Sequence, residues 1–88
     1  MSERYRLNLT DGTAIIVPKG AAVHEVEVLP DGKDRVVSNH LRLGESFFFE
    51  DGDQIKSTPI QIKDNTLPGL HIQRGLRTYI LVYRSGAN

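Results

Sequence analysis

Short runs of alternating apolar and polar residues, interrupted at nearly even intervals by glycine, fill most of this chain. Tyr5, Leu7 and Leu9 alternate with Arg6 and Asn8, the period-two pattern of a half-buried strand. Thr13–Val17 predicts a second strand. In His24–Leu29, His24, Val26 and Val28 fall on one side, and Glu25 and Glu27 on the other. Asp34–Ser38 predicts a fourth strand, and Phe47-Phe48-Phe49 a segment apolar on both sides. Ile55–Lys63 puts Ile60 and Ile62 on one side, and Pro59 marks an edge or a bulge because proline has no N–H to give a ladder. Leu70–Gln73 is short. Thr78–Arg84 is the strongest: Ile80 and Val82 point one way, Tyr79, Leu81 and Tyr83 the other. Two apolar faces predict a central strand, or one whose outer face meets another subunit.

The breaks carry their own signal. Asp-Gly occurs at residues 11–12, 31–32 and 51–52. Between apolar runs this dipeptide predicts hairpins with type I′-like turns, since both residues tolerate positive φ. Evenly sized hairpins account for the spacing better than a true repeat, because the stretch from Asn65 to Arg84 breaks it. No window has a 3.6-residue period, and a single helical turn near Ser38–Gly44 is the most helix the pattern allows. The expected fold is all-β: one domain over residues 1–88, a small antiparallel β-sandwich or flattened β-barrel of about seven or eight short strands joined by hairpins.

Size and charge narrow the partners. At 88 residues the core is thin, and a strand edge or sheet face has reason to seek a partner. There is no cysteine, so disulfides, thiolate zinc sites and thiol catalysis are excluded. No run is long and apolar enough for a signal peptide or a membrane span, and a cytoplasmic location is expected. Net charge is zero, yet uneven. Residues 3–64 hold all eleven acids against eight basic residues, a net of −3; residues 65–88 hold Arg74, Arg77 and Arg84 and no acid, a net of +3.

Three groupings could carry chemistry. Gly32, Ser38, His40, Glu45 and Gly52 follow one another at intervals that resemble the first motif of the cupin superfamily. Pro68-Gly69-Leu70-His71 looks like a shortened form of that family's second motif, so the resemblance spans residues 24–84. It implies a β-barrel whose inward histidines and glutamate bind a metal. Here the ligands would be His40, Glu45 and His71, and Ser38 stands where the family has its first histidine. With that ligand missing, no metal or other cofactor is assigned. The second grouping, Glu50-Asp51-Gly52-Asp53, reads as a solvated hairpin tip. The third is the tail of His71, Arg74, Arg77, Tyr79, Tyr83 and Arg84. A basic strip with aromatic platforms is the signature of single-strand nucleic-acid binders, and tyrosine and arginine also anchor protein contacts.

With no nucleophile elbow, phosphate loop or helical metal pair, no catalytic residue is assigned. The expected function is a non-enzymatic binding or assembly module acting through protein–protein contacts. Its partner would be a second copy or another protein, and a phage or prophage accessory protein is one such setting. The expected interface is Arg74, Arg77, Tyr79, Leu81, Tyr83 and Arg84. The alternatives are a small nucleic-acid-binding barrel and a degenerate cupin-like domain.

Overall fold

Period-two segments can bury one face only by stacking a second layer on it, and this chain builds two layers of unequal size. The computed structural model describes residues 4–62 and 64–83. Within them are seven strands: β1 (Arg4–Asn8), β2 (Ala14–Pro18), β3 (Ala22–Val28), β4 (Asp34–Arg42), β5 (Gln54–Ile62), β6 (Asn65–Arg74) and β7 (Arg77–Val82). All pair antiparallel, and no helix occurs among the described residues. β1 and β2 form a two-stranded ribbon; the other five form a sheet in the order β4-β3-β7-β6-β5. The expected all-β class and sandwich layering hold.

The ribbon covers one face of the sheet. Leu7, Leu9 and Val17 of the ribbon share a core with Val23, Ile55, Leu70, Ile72, Tyr79 and Leu81 of the sheet. Hydrogen bonds pin both ends of the ribbon. At its tip, the Thr10 N–H donates to the Ile55 carbonyl (2.9 Å), and the Ile55 N–H returns to the Thr10 hydroxyl (3.0 Å). At its base, the Gly20 N–H donates to the Leu43 carbonyl at 2.8 Å.

The turns correct one expectation and support another. Gly12, Gly32 and Gly52 all have positive φ, at 91°, 86° and 91°. The first two turns are not type I′, however. The Gly12 N–H donates to the Leu9 carbonyl (3.0 Å) while the Leu9 N–H donates to the Thr13 carbonyl (2.7 Å). That is a three-residue loop with the glycine in a bulge. Leu29, Gly32 and Lys33 repeat the arrangement, and Asp11 and Asp31 each accept a backbone N–H two residues on. The third Asp-Gly joins no hairpin. It lies in the loop leading to β5, at the opposite edge of the sheet from β4.

Three segments differ from their predicted form. β4 continues to Arg42, so Ser38–Gly44 holds no helical turn. Leu70–Gln73 is part of the ten-residue β6. Phe47-Phe48-Phe49 lies in a loop, tied to Leu43 by one isolated bridge. β7 is the central strand of the sheet, and β5 with Pro59 is an edge strand.

Candidate functional site

The two faces of β7 look in opposite directions, and the structure reverses the one expected to meet a partner. Tyr79 is 5% exposed and Leu81 fully buried, both inside the chain's own core, with Tyr83 packed against it. The ribbon already occupies the space a partner would need. Tyr79 is thus no stacking platform for bases, and the tyrosine side of β7 is not an outer surface.

Arg74 is also spoken for. Its guanidinium donates twice to Asp53 (2.9 and 2.8 Å) and once to the Phe48 carbonyl (2.8 Å), with Glu50 at 3.2 Å. It lies 4.8 Å from the Phe47 ring centre and 5.3 Å from that of Tyr79. The Asp53 side chain is only 2% exposed. The guanidinium holds its carboxyl below the usual carboxylate range, against the opposing pull of burial. Asp53 is therefore not a solvated tip but half of a clasp that fastens the 43–53 loop to the end of β6. Arg77 is exposed beside the Tyr79 hydroxyl, which raises its affinity for its proton. Arg84 lies outside the described residues.

The cupin-like ligands do not converge. His40 is on edge strand β4, Glu45 in the following turn, and His71 on β6. Two strands lie between β4 and β6, a separation of about 14 Å at ordinary strand spacing. Among the described residues, no three His, Asp or Glu side chains are grouped to hold a metal ion.

What remains open is the other face. Cross-strand register sets His24, Ile80, His71 and Lys56 side by side across β3, β7, β6 and β5. The neighbouring row is Ala22, Val82, Gly69 and Thr58. Gly69 has a specific purpose: the side chain of Ile60 lies where a Cβ would sit, so Ile60 folds over β6 and walls a groove. The groove holds about 520 Å³ and runs from Asp34 and Val36, past Val26, Ile80 and Val82, to Ile60. His24 lines it, and its Nδ1 is buried with no hydrogen-bond partner. Val26 also lines a second cleft with Val28, Val37 and Leu76. All three are exposed, Leu76 fully, at the tip of the β6–β7 turn.

Both sheet edges are blunted. β4 slips register with β3 twice, between Val23 and Glu25 and between Glu25 and Val26, and such bulges turn an edge away from further pairing. β5 carries Pro59 and Lys56, which oppose strand addition by a missing donor and by charge. Comparison with protein-family models, curated proteins and solved structures finds no match. Among the described residues, no helix is long and apolar enough to cross a membrane. The signal for the open face was present in the alternation of Ile80 with Val82 and of His24 with Val26 and Val28.

Proposed function

We propose that this chain is a non-enzymatic binding and assembly module that works through protein–protein contacts on the open face of its five-stranded sheet. One observation carries the reading: an apolar groove crosses the central strands, and no described part of the chain covers it. An antiparallel sheet with one solvated face ordinarily turns polar residues to water. Here Ile80 and Val82 of the central strand, with Val36 and Ile60, line the outer face instead, around a buried Val26. A contiguous apolar surface rimmed by polar groups marks an interaction site, and the rim of Asp34, Thr58, His71 and Gln61 supplies the polar border usual at protein interfaces.

Site-specific cross-linking tests the reading. A photoreactive side chain in place of Ile80 should yield a protein-sized adduct in cells making the chain. The same group in place of Arg6, exposed on the ribbon, should not. Equal labelling at the two positions, or none at Ile80, would refute a specific contact on this face.

A further inference from the structure

We infer that Asp51-Gly52 is a site of spontaneous backbone isomerisation, and that the reaction loosens the clasp between Asp53 and Arg74. The chain holds the same reactive dipeptide at residues 11–12, 31–32 and 51–52. In an Asp-Gly pair the glycine nitrogen attacks the aspartate Cγ, helped by the absence of a Cβ beside it. The N–Cγ bond forms, the bond from Cγ to the hydroxyl breaks, and the amide proton leaves with that hydroxyl as water. The product is a five-membered succinimide. Water then opens the ring at either carbonyl. One route returns aspartate; the other leaves isoaspartate, in which the main chain runs through the former side chain. One water leaves and one is taken up, so the mass of the chain is unchanged.

The fold treats the three copies differently. The reaction needs a free glycine nitrogen and a free carboxyl. At the first copy, the Gly12 N–H is committed to the Leu9 carbonyl (3.0 Å), and the Asp11 carboxylate accepts the hydroxyl (2.7 Å) and N–H (2.9 Å) of Thr13. Those two bonds, the hydroxyl first, also hold the Asp11 carboxyl below the usual carboxylate range, in the anionic form that does not release its oxygen as water. At the second copy, the Gly32 N–H donates to the Leu29 carbonyl (2.9 Å), and Asp31 accepts the Lys33 N–H (2.9 Å). At the third, Asp51 is exposed, and neither its carboxylate nor the Gly52 N–H has a hydrogen-bond partner among the described residues.

The third copy also has room to reach the reacting geometry. The Asp51–Gly52 peptide is the middle unit of a turn closed by the Asp53 N–H donating to the Glu50 carbonyl at 3.2 Å. Turns that share this closing bond differ in the orientation of the middle peptide, so it can turn over while the bond stays. The same turn carries the clasp. The Asp53 carboxylate accepts the Glu50 N–H (3.0 Å) besides both Arg74 bonds. Isoaspartate at 51 inserts a methylene into the main chain between Glu50 and Asp53, and the turn then no longer holds Asp53 against Arg74.

Peptide mapping of the full chain, aged in warm neutral buffer, tests this. An isoaspartyl peptide keeps its mass and shifts its chromatographic retention. Isoaspartate should accumulate fastest at residue 51. Each hydrogen bond that must first break slows the reaction by about fivefold, so Asp31-Gly32, with two, should lag by roughly twentyfold, and Asp11-Gly12, with three, further still. In concentrated urea the three rates should converge, because the differences belong to the fold. The isolated isoaspartyl form should unfold at a lower urea concentration than fresh wild type. Asp51→Glu, which would have to close a six-membered ring, should show neither the modification at 51 nor the fall in midpoint on ageing. Equal isoaspartate at the three sites of the folded chain, or a lag that persists in urea, would overturn the site. Isoaspartate at 51 with an unchanged midpoint would overturn its effect on the clasp.

Discussion

Ile80 and Leu81 are neighbours on the central strand with opposite surroundings. Leu81 faces the ribbon and is fully buried. Ile80 faces a groove and is only half-buried. The inner face is closed by the chain itself: the β1–β2 hairpin lies over it, and a loop plugs its end with Phe47. The outer face has similar side chains, and among the described residues no second layer lies over Ile80 and Val82. Burial therefore follows from which layer the rest of the chain can supply, and an apolar face left over once that layer is used is evidence about partners.

The sharpest way to break this contrast is to truncate both neighbours. Leu81→Ala should cost about 3–4 kcal/mol, as a deletion in a closed core does, read as a fall in the urea midpoint. That is a large share of a small domain's stability. If it costs under about 1 kcal/mol, the inner face is not the core.

Next in size is the clasp at the end of the inner face. Asp53→Asn should cost about 2–3 kcal/mol, less than a fully buried pair because Arg74 is partly exposed. Asp53 has a depressed pKa in the folded state. Its contribution is complete above the unfolded carboxylate value and is lost as pH falls through the lower folded value. Urea melts across the acid range should show wild type losing this increment while Asp53→Asn stays flatter. Parallel curves would show that the pair contributes no net stability.

The two bulged turns separate the layers. Gly12 and Gly32 have open space around the missing Cβ, so valine at either should cost only backbone strain, about 1–2 kcal/mol. Only the Gly12 turn is hydrogen-bonded to β5. Hydrogen exchange should therefore show Gly12→Val loosening Ile55 as well as its own hairpin, while Gly32→Val stays local. Matching exchange patterns would mean the ribbon is not held by its tip.

The smallest effect belongs to the outer face. Ile80→Ser should cost about 1 kcal/mol or less, measured on dilute protein. A cost equal to that of Leu81→Ala would show that the outer face is as closed as the inner one.

Much of this architecture was legible in the sequence. Period-two alternation located most of the strands, Pro59 marked an edge, and the two apolar faces of Thr78–Arg84 marked a centre. What alternation could not supply is which of two apolar faces lies inside. Tyr79 and Leu81 are no more hydrophobic in pattern than Ile80 and Val82, and the choice rests on Leu7, Leu9 and Val17, more than sixty residues away in sequence. The Phe47–Phe49 run looked like a strand because it is apolar, yet Phe47 is buried from a loop. The Arg74–Asp53 clasp joins residues 21 apart with no local signature, so Asp53 read as solvated and Arg74 as free.

The order β4-β3-β7-β6-β5 also sets how the molecule comes together in time. Four of the five strand pairings join neighbours in sequence, each reached by closing a short loop. The fifth, β3 with β7, brings Val23 beside Leu81 and joins segments nearly sixty residues apart in sequence. Such closure lowers the folding rate more than it lowers stability. Hairpins form in about 1–10 μs, so residues 22–42 and 54–82 can each be paired early and wait for this seam. Until it closes, the central strand β7 has a free edge, and the rate of that single step decides how long an otherwise well-guarded sheet is open to the wrong neighbour.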